Sequence, residues 1–191
     1  MDERDKAARP VTSFEGSQRI HITGGPGSGK TRLARRLVQT RQVTLHDLDG
    51  LLLAAGDRLD KLQAEGTASS LAASAAWISD GVYVGWAEPF LERADVVLWL
   101  DVPWRVASYR LIARHFRLEV TRQNRFPGWK RFYVFWRWAA RYYADRNQPT
   151  VNRLGVPNTR SVLASQLAPY RDKLIVCRTS AEIEAVARLR P

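Results

Sequence analysis

The apolar and polar positions of the chain fall into alternating short runs of period two and longer stretches of period three to four. Gln18 to Thr23 alternates around Ile20 and Ile22, which predicts a short strand. A Gly/Pro/Ser loop follows from Gly24 to Gly29. Lys30 to Thr40 then sets Leu33, Leu37 and Val38 on one helical face, with Arg32, Arg35 and Arg36 elsewhere. Val43 to His46 predicts a second strand, ended by Asp47-Leu48-Asp49-Gly50. Residues 51–76, rich in Leu, Ala and Ser, read as two or more short helices. Trp77 to Ser79 is a brief strand that stops at Asp80-Gly81, and Glu88 to Arg93 is a helical piece. Val96-Val97-Leu98-Trp99-Leu100 is apolar without a break, the pattern of a strand buried on both faces of a parallel sheet. It ends at Asp101-Val102-Pro103.

The C-terminal half continues in the same alternation. Residues 104–117 read as a helix, Thr121 to Gly128 as a loop carrying Pro127 and Gly128, and Trp129 to Arg146 as another helix. Arg160 begins a further helix. Lys173 to Cys177 is the last strand and Ala181 to Leu189 the last helix. Residues 1–17 are polar, charged and patternless, and are expected to form a loose tail ahead of one domain over 18–191. Strands alternating with helices indicate a parallel α/β sheet, whose ligands sit at the carboxyl ends of the strands.

Composition narrows the class. With 191 residues, 45% hydrophobic and 26% charged, the chain is an ordinary globular domain and not a mainly disordered one. A single cysteine, Cys177, excludes an internal disulfide framework and a Cys-rich zinc site, and fits a reducing compartment. No apolar run reaches the roughly 20 residues of a membrane helix, and the charged first ten residues are not a secretory signal. The expected location is therefore cytoplasmic, with no membrane partner. His21, His46 and His115 are scattered and show no metal-ligand spacing. The net charge of +11 is confined to residues 105–160, where 13 Arg or Lys face only Glu119 and Asp145. Such a field attracts phosphates, nucleic acid or anionic membrane; the plain alternative is a solvated Arg-rich surface.

Gly24-Gly25-Pro26-Gly27-Ser28-Gly29-Lys30-Thr31 matches G-x-x-x-x-G-K-[ST] between a predicted strand and a predicted helix. Its glycines, Gly25, Gly27 and Gly29, together with Ser28, let backbone N–H groups converge on phosphate, and the helix N-terminus adds partial positive charge. Lys30 is expected at the β/γ-phosphates and Thr31 on Mg²⁺. The chain lacks the Asn-Lys-x-Asp segment of a switch GTPase and the paired Walker B acids of a motor or AAA+ ATPase. A small phosphotransferase fits better.

Acids fall at three predicted strand ends. Asp47 and Asp49 share one side if the chain is extended there, and Asp49 is the candidate for holding the acceptor hydroxyl. Asp80 is the candidate for holding Mg²⁺ through water. The plain alternative for each acid is a helix cap or a turn, and Asp101 in Asp-Val-Pro suits a turn before a helix. Arg110, Arg114 and Arg117 recur on one side of the 104–117 helix, followed by Arg122 and Arg125, as in an arginine-bearing flap over transferring phosphate. Nine aromatics lie between Phe126 and Tyr143, with Trp129, Phe132, Trp136 and Tyr143 near one helical face. The stripe reads first as core, and second as a stacking surface with Arg131, Arg137 and Arg141 on phosphates.

The succession of this loop, His46-Asp47-Leu48-Asp49, Trp77 through Asp80-Gly81-Val82-Tyr83, and Leu91 through Pro103 resembles the adenylate-kinase-like P-loop proteins of the DNA topology modulation type. It is similar, more distantly, to adenylate and shikimate kinases. The resemblance spans about residues 18–178. It implies a three-layer P-loop NTPase fold with a five-stranded parallel sheet flanked by helices, an acceptor-binding region in 50–76 and a lid near 115–128. It also implies ATP and Mg²⁺, with Asp80 serving the metal and Asp47-x-Asp49 serving metal and acceptor. Adenylate kinases follow Asp-Gly with Phe-Pro-Arg; here Val82-Tyr83-Val84 stands instead, against an AMP-reading site. The expected activity is transfer of the γ-phosphoryl of ATP to a hydroxyl or phosphate of a small acceptor, and the Trp- and Arg-rich half favours an acceptor that is aromatic, anionic or both. On this reading Lys30, Asp49, Asp80, Arg114, Arg122 and Arg125 are catalytic, and Arg117 joins the loop in binding nucleotide. Two alternatives stay open: a nucleic-acid-associated P-loop NTPase using the basic 105–160 segment, and a nucleotide-gated binding protein without transfer.

Overall fold

The computed structural model describes residues 16–55, 61–82, 86–124, 126–144 and 158–188. Five strands, β1 (Arg19–Thr23), β2 (Thr44–Asp47), β3 (Trp77–Asp80), β4 (Val96–Leu100) and β5 (Leu174–Cys177), form one sheet in the order β2-β3-β1-β4-β5. All four pairings are parallel. The helices between them are α1 (Lys30–Arg41), α2 (Leu48–Ala55), α3 (Lys61–Ala72), α4 (Glu88–Arg93), α5 (Trp104–Val120), α6 (Trp129–Ala144), α7 (Arg160–Leu167) and α8 (Ser180–Arg188). A 3-10 stretch, Ala168–Lys173, leads into β5.

Why the sheet is sandwiched is visible in β4. All five of its residues are buried. Val97 and Trp99 join one core with Trp77, Phe90 and Leu167, while Val96, Leu98 and Leu100 join the other with Leu33, Leu37 and Val186. Alternate side chains of one strand thus feed two apolar layers, which is the three-layer α/β arrangement. Truncating a fully buried member such as Ile22 to Ala would cost about 2–5 kcal/mol.

Local chemistry fixes several element ends. The Asp47 carboxylate accepts the Gly50 N–H at 2.9 Å, capping α2 where β2 stops. Thr179 Oγ1 accepts the Glu182 N–H at 3.2 Å and Glu182 Oε2 accepts the Thr179 N–H at 3.0 Å, a reciprocal capping box that starts α8. Thr159 caps α7 through the Val162 N–H.

α5 runs three residues beyond the predicted helix, to Val120. It ends where Arg122 takes a left-handed backbone, φ 54°, and the N–H groups of Arg122 and Gln123 turn back to the carbonyls of Glu119 and Leu118. Of the stretch expected as a lid, 115–128, residues 115–120 belong to the end of α5 and residues 121–124 turn the chain toward α6. Glu119 Oε1 accepts from Asn124 at 2.6 Å and from the Gly128 N–H at 2.9 Å, which closes α5 and α6 into a helical hairpin. The tail over 1–15, Arg125, and parts of the acceptor and basic segments (56–60 and 145–157) lie outside the described residues.

Candidate phosphate-binding site

β1 delivers the chain into the 24–29 loop at the carboxyl edge of the sheet, and α1 starts at Lys30. The Ser28 N–H donates to the Gly25 carbonyl at 3.1 Å and the Leu33 N–H to the Gly29 carbonyl at 3.0 Å. No side chain caps the first turn of α1 and it contains no acid, so its leading N–H groups suit an anion. Lys30 is 8% exposed, its Nζ donating to the Gly25 carbonyl at 3.4 Å. Thr31 is half-buried in the same turn.

The outer side of this loop is gripped by the hairpin. Tyr143 Oη of α6 donates to the Pro26 carbonyl at 2.8 Å, and Arg110 Nη1 of α5 donates to the Ser28 carbonyl at 2.5 Å. In a planar trans peptide the N–H points opposite to the C=O. Holding these carbonyls toward the hairpin therefore turns the N–H groups of Gly27 and Gly29 away from it. Packing enforces the same contact: a Cβ on Gly25 would sit 2.3 Å from Tyr142, and one on Gly27, where φ is 80°, 2.7 Å from the Ala107 carbonyl oxygen.

The strand-end acids separate into different roles. Asp47 is occupied as the α2 cap. Asp101 is buried and held by Arg160 through two bonds of 2.6 Å, with Arg178 at 3.9 Å. Asp80 is 1% exposed, and neither of its oxygens makes a hydrogen bond among the described residues. It pairs in register with Asp47 of β2 and Ile22 of β1, just short of the loop. Burial pushes its carboxyl above the ordinary range. The Lys30 charge and the nearby Thr31 hydroxyl pull it down, and the charges of Asp49 and Asp47 push it up again. These five residues therefore share one electrostatic neighbourhood. Asp49 arrives there from the first turn of α2 and not from an extended chain, because helix begins at Leu48.

An uncharged polar pair lies beneath the site: His21 Nδ1 and Ser79 Oγ are 2.8 Å apart on adjacent strands. Burial, reinforced by Lys30, lowers the His21 pKa to about 3, so the imidazole adds no charge near neutrality.

Arg110 is anchored at the loop and also donates to Ser180 Oγ at 3.0 Å. Arg114 and Arg117 follow at one-turn spacing on α5, exposed, and Arg122 is exposed at its end. The aromatic stripe of α6 packs against α5: Trp136 Nε1 donates to Ser108 Oγ at 2.8 Å, and Phe132 stacks on His115 with ring centroids 4.3 Å apart. Tyr143 at its end packs against both apolar cores, as a core stripe requires, and also reaches the phosphate loop. Its position on the stripe gave the face; nothing in the sequence gave the partner, 117 residues away.

No family model matches the chain, and no curated protein matches it in sequence. Solved structures do match. Shikimate kinase from Acinetobacter baumannii in complex with shikimate superposes with a TM-score of 0.50 at 14% identity, covering 94% of this chain and 93% of that one. Shikimate kinase from Bacteroides thetaiotaomicron gives 0.50 at 16% identity, covering 91% and 96%. At such identities the likeness is one of fold: the chain has the three-layer α/β P-loop architecture of these kinases, the more distant of the resemblances drawn from the motifs.

Proposed function

We propose that the protein is an ATP-dependent phosphotransferase acting on a hydroxyl of a small molecule. The observation that carries this is Asp80, a buried carboxylate for which no hydrogen bond is found among the described residues, set beside the Thr31 hydroxyl and the Lys30 charge at the mouth of the phosphate loop. A buried charge costs several kcal/mol unless something compensates it, and a hard cation shared with phosphate oxygens would do so. Asp80 and the Thr31 hydroxyl fit Mg²⁺. Among the described residues no cluster of three His, Cys, Asp or Glu forms a self-sufficient cage, which suits an ion completed by phosphate and water. When bound, Mg²⁺ supplies charge neutralisation on the phosphates.

The chain's own residues divide the remaining work. The N–H groups of Gly27, Gly29, Lys30 and Thr31 and the Lys30 ammonium bind the β- and γ-phosphates. Asp49 orients the acceptor hydroxyl and takes its proton as the new O–P bond forms and the bond from the γ-phosphorus to the bridging oxygen of ADP breaks. Arg114, Arg117 and Arg122, with Arg125 in the same connection, neutralise charge on the moving phosphoryl group. Asp49 can take a proton from a hydroxyl as it attacks, whereas the ionised phosphate of a nucleoside monophosphate needs no such base, so a hydroxyl acceptor fits better.

The test is release of ADP from ATP·Mg²⁺ against a panel of nucleosides, nucleoside monophosphates, polyols and shikimate, with GTP run in parallel and Lys30→Ala as blank. One hydroxyl acceptor should stimulate release and gain a phosphate by mass, while the variant is silent. Turnover equal in Lys30→Ala would remove the site assignment, and stimulation only by monophosphates would remove the hydroxyl reading.

A further inference from the structure

Among the described residues, nine large hydrophobic side chains are exposed, and all but Leu51 lie between Tyr109 and Val134 on the α5–α6 hairpin. On α5, Tyr109, Ile112, Phe116 and Val120 repeat at intervals of three and four, so they form one outward stripe. It lies on a different side from Arg110, Arg114 and Arg117, which belong to the phosphate-loop side, and from Ala107, Leu111 and His115, which are buried. Trp129 and Tyr133 continue the exposed apolar surface across the turn onto α6. Residues 104–144 carry ten Arg or Lys and one acid, Glu119, whose carboxylate is occupied by Asn124 and the Gly128 N–H. On α6, Tyr133, Val134, Arg137, Trp138 and Arg141 line a recess of about 350 Å³.

We propose that this outer face of the hairpin docks on an anionic lipid bilayer surface. Interfacial helices combine an apolar stripe, Trp and Tyr at headgroup depth, and flanking Arg or Lys that attract anionic lipid. All three are here, and the recess between Arg137 and Arg141 has the size and charge for a phosphate headgroup. Charge complementarity weighs against a second copy of the chain, because an isologous contact would bring the exposed cations of this face, Lys130, Arg137 and Arg141, against the same cations of the other copy. The composition of the stripe weighs against nucleic acid. Ile112, Val120 and Val134 offer neither a stacking plane nor a phosphate donor, while an acyl boundary accepts them. The expectation of no membrane partner rested on the lack of a long apolar run, and a surface-lying helix needs no such run. No described helix is long and apolar enough to cross a membrane.

The experiment is flotation of the full chain with vesicles of phosphatidylcholine alone and of phosphatidylcholine with phosphatidylglycerol, at about 150 mM salt where weak surface charge effects are largely screened. A blue shift of tryptophan emission that Trp129→Phe removes reports burial of Trp129, the exposed one of the seven tryptophans, and circular dichroism verifies that variants remain folded. The protein should float with the anionic vesicles only, with a blue-shifted emission. Phe116→Ser with Val120→Ser, both at exposed positions, should weaken that binding about tenfold or more while leaving ATP·Mg²⁺ binding unchanged. Absence of flotation overturns the proposal, as does equal flotation of the double variant. Two further results overturn it: tighter binding to a single-stranded oligonucleotide that the double variant retains, and a wild-type dimer in sedimentation that the double variant loses.

Discussion

Asp80 carries a local conflict, because a carboxylate for which no hydrogen bond is found among the described residues is buried at the end of β3. Its pKa is raised, with burial the leading cause. The folded state therefore holds the proton more tightly than the unfolded chain does. Ionisation costs stability above the raised pKa, and that cost disappears as the pH falls through it. Asp80→Asn removes the charge at constant shape. In metal-free buffer near pH 7 it should stabilise the fold and raise Tm, because the neutral amide carries no charge to desolvate. The gain should shrink on acidification and be accompanied by loss of Mg²⁺-dependent turnover. A calorimetric pH series on both proteins checks the sign, and a lower Tm for the variant would show that Asp80 is compensated after all. Tyr143 poses the reverse case, a group that stabilises what it touches. Tyr143→Phe keeps the ring against Trp104 (centroids 5.2 Å apart) and removes only the bond to the Pro26 carbonyl. Affinity for a non-hydrolysable ATP analogue with Mg²⁺ should fall about 2- to 10-fold, the worth of one such bond, with Tm nearly unchanged. Equal affinity by calorimetric titration would mean that packing alone holds the loop.

At the level of elements, the end of α5 is held by an unfavourable residue. Position 122 adopts the left-handed conformation usually given to glycine at a helix C-terminus, and arginine pays about 1 kcal/mol there. Arg122→Gly should raise the denaturation midpoint by about that energy, whereas Arg122→Ala keeps a Cβ in the same conformation and should not. If the guanidinium acts on phosphate, both variants lose turnover. A fall in kcat shared by the two, with stability gained by the glycine alone, separates charge from backbone, and unchanged kcat in both would take Arg122 out of the site. The same helix marks a boundary of what the sequence discloses. Its periodicity through Arg117 was readable, since Ala107, Leu111 and His115 recur at four-residue spacing on the buried side. The extension to Val120 depends on Glu119 finding Asn124 and Gly128 across the turn, a contact no helical period announces. Asp49 repeats the lesson, because two acids one residue apart look alike in sequence until the Asp47 carboxylate accepts the Gly50 N–H and caps α2.

Across the whole molecule, the parallel sheet and the phosphate loop were legible because both rest on short-range patterns, the unbroken Val96–Leu100 run and the glycines before Lys30-Thr31. The order β2-β3-β1-β4-β5 and the seating of the hairpin on the loop were not, since each is made by residues far apart in sequence. That long-range seating has a dynamic consequence. The loop is held from one side by Ala107, Arg110, Tyr142 and Tyr143, so anything that fixes its backbone from the other side also restricts the base of the hairpin. A ligand stabilises the segments whose local opening it opposes, and coupling between two segments is reciprocal. Binding of an ATP analogue with Mg²⁺ should therefore slow amide hydrogen exchange in residues 24–31 and in the facing parts of the hairpin, 107–111 and 139–144. Residues 121–124, where Asn124 bonds Glu119, should exchange at their unliganded rate until an acceptor is present. Lys30→Ala should abolish the whole pattern. Tyr143→Phe should keep protection in the loop and lose it in 139–144, because it cuts the link and leaves the phosphate donors in place. Protection confined to 24–31 in the unmodified protein would show that the hairpin rests on the loop without sensing it.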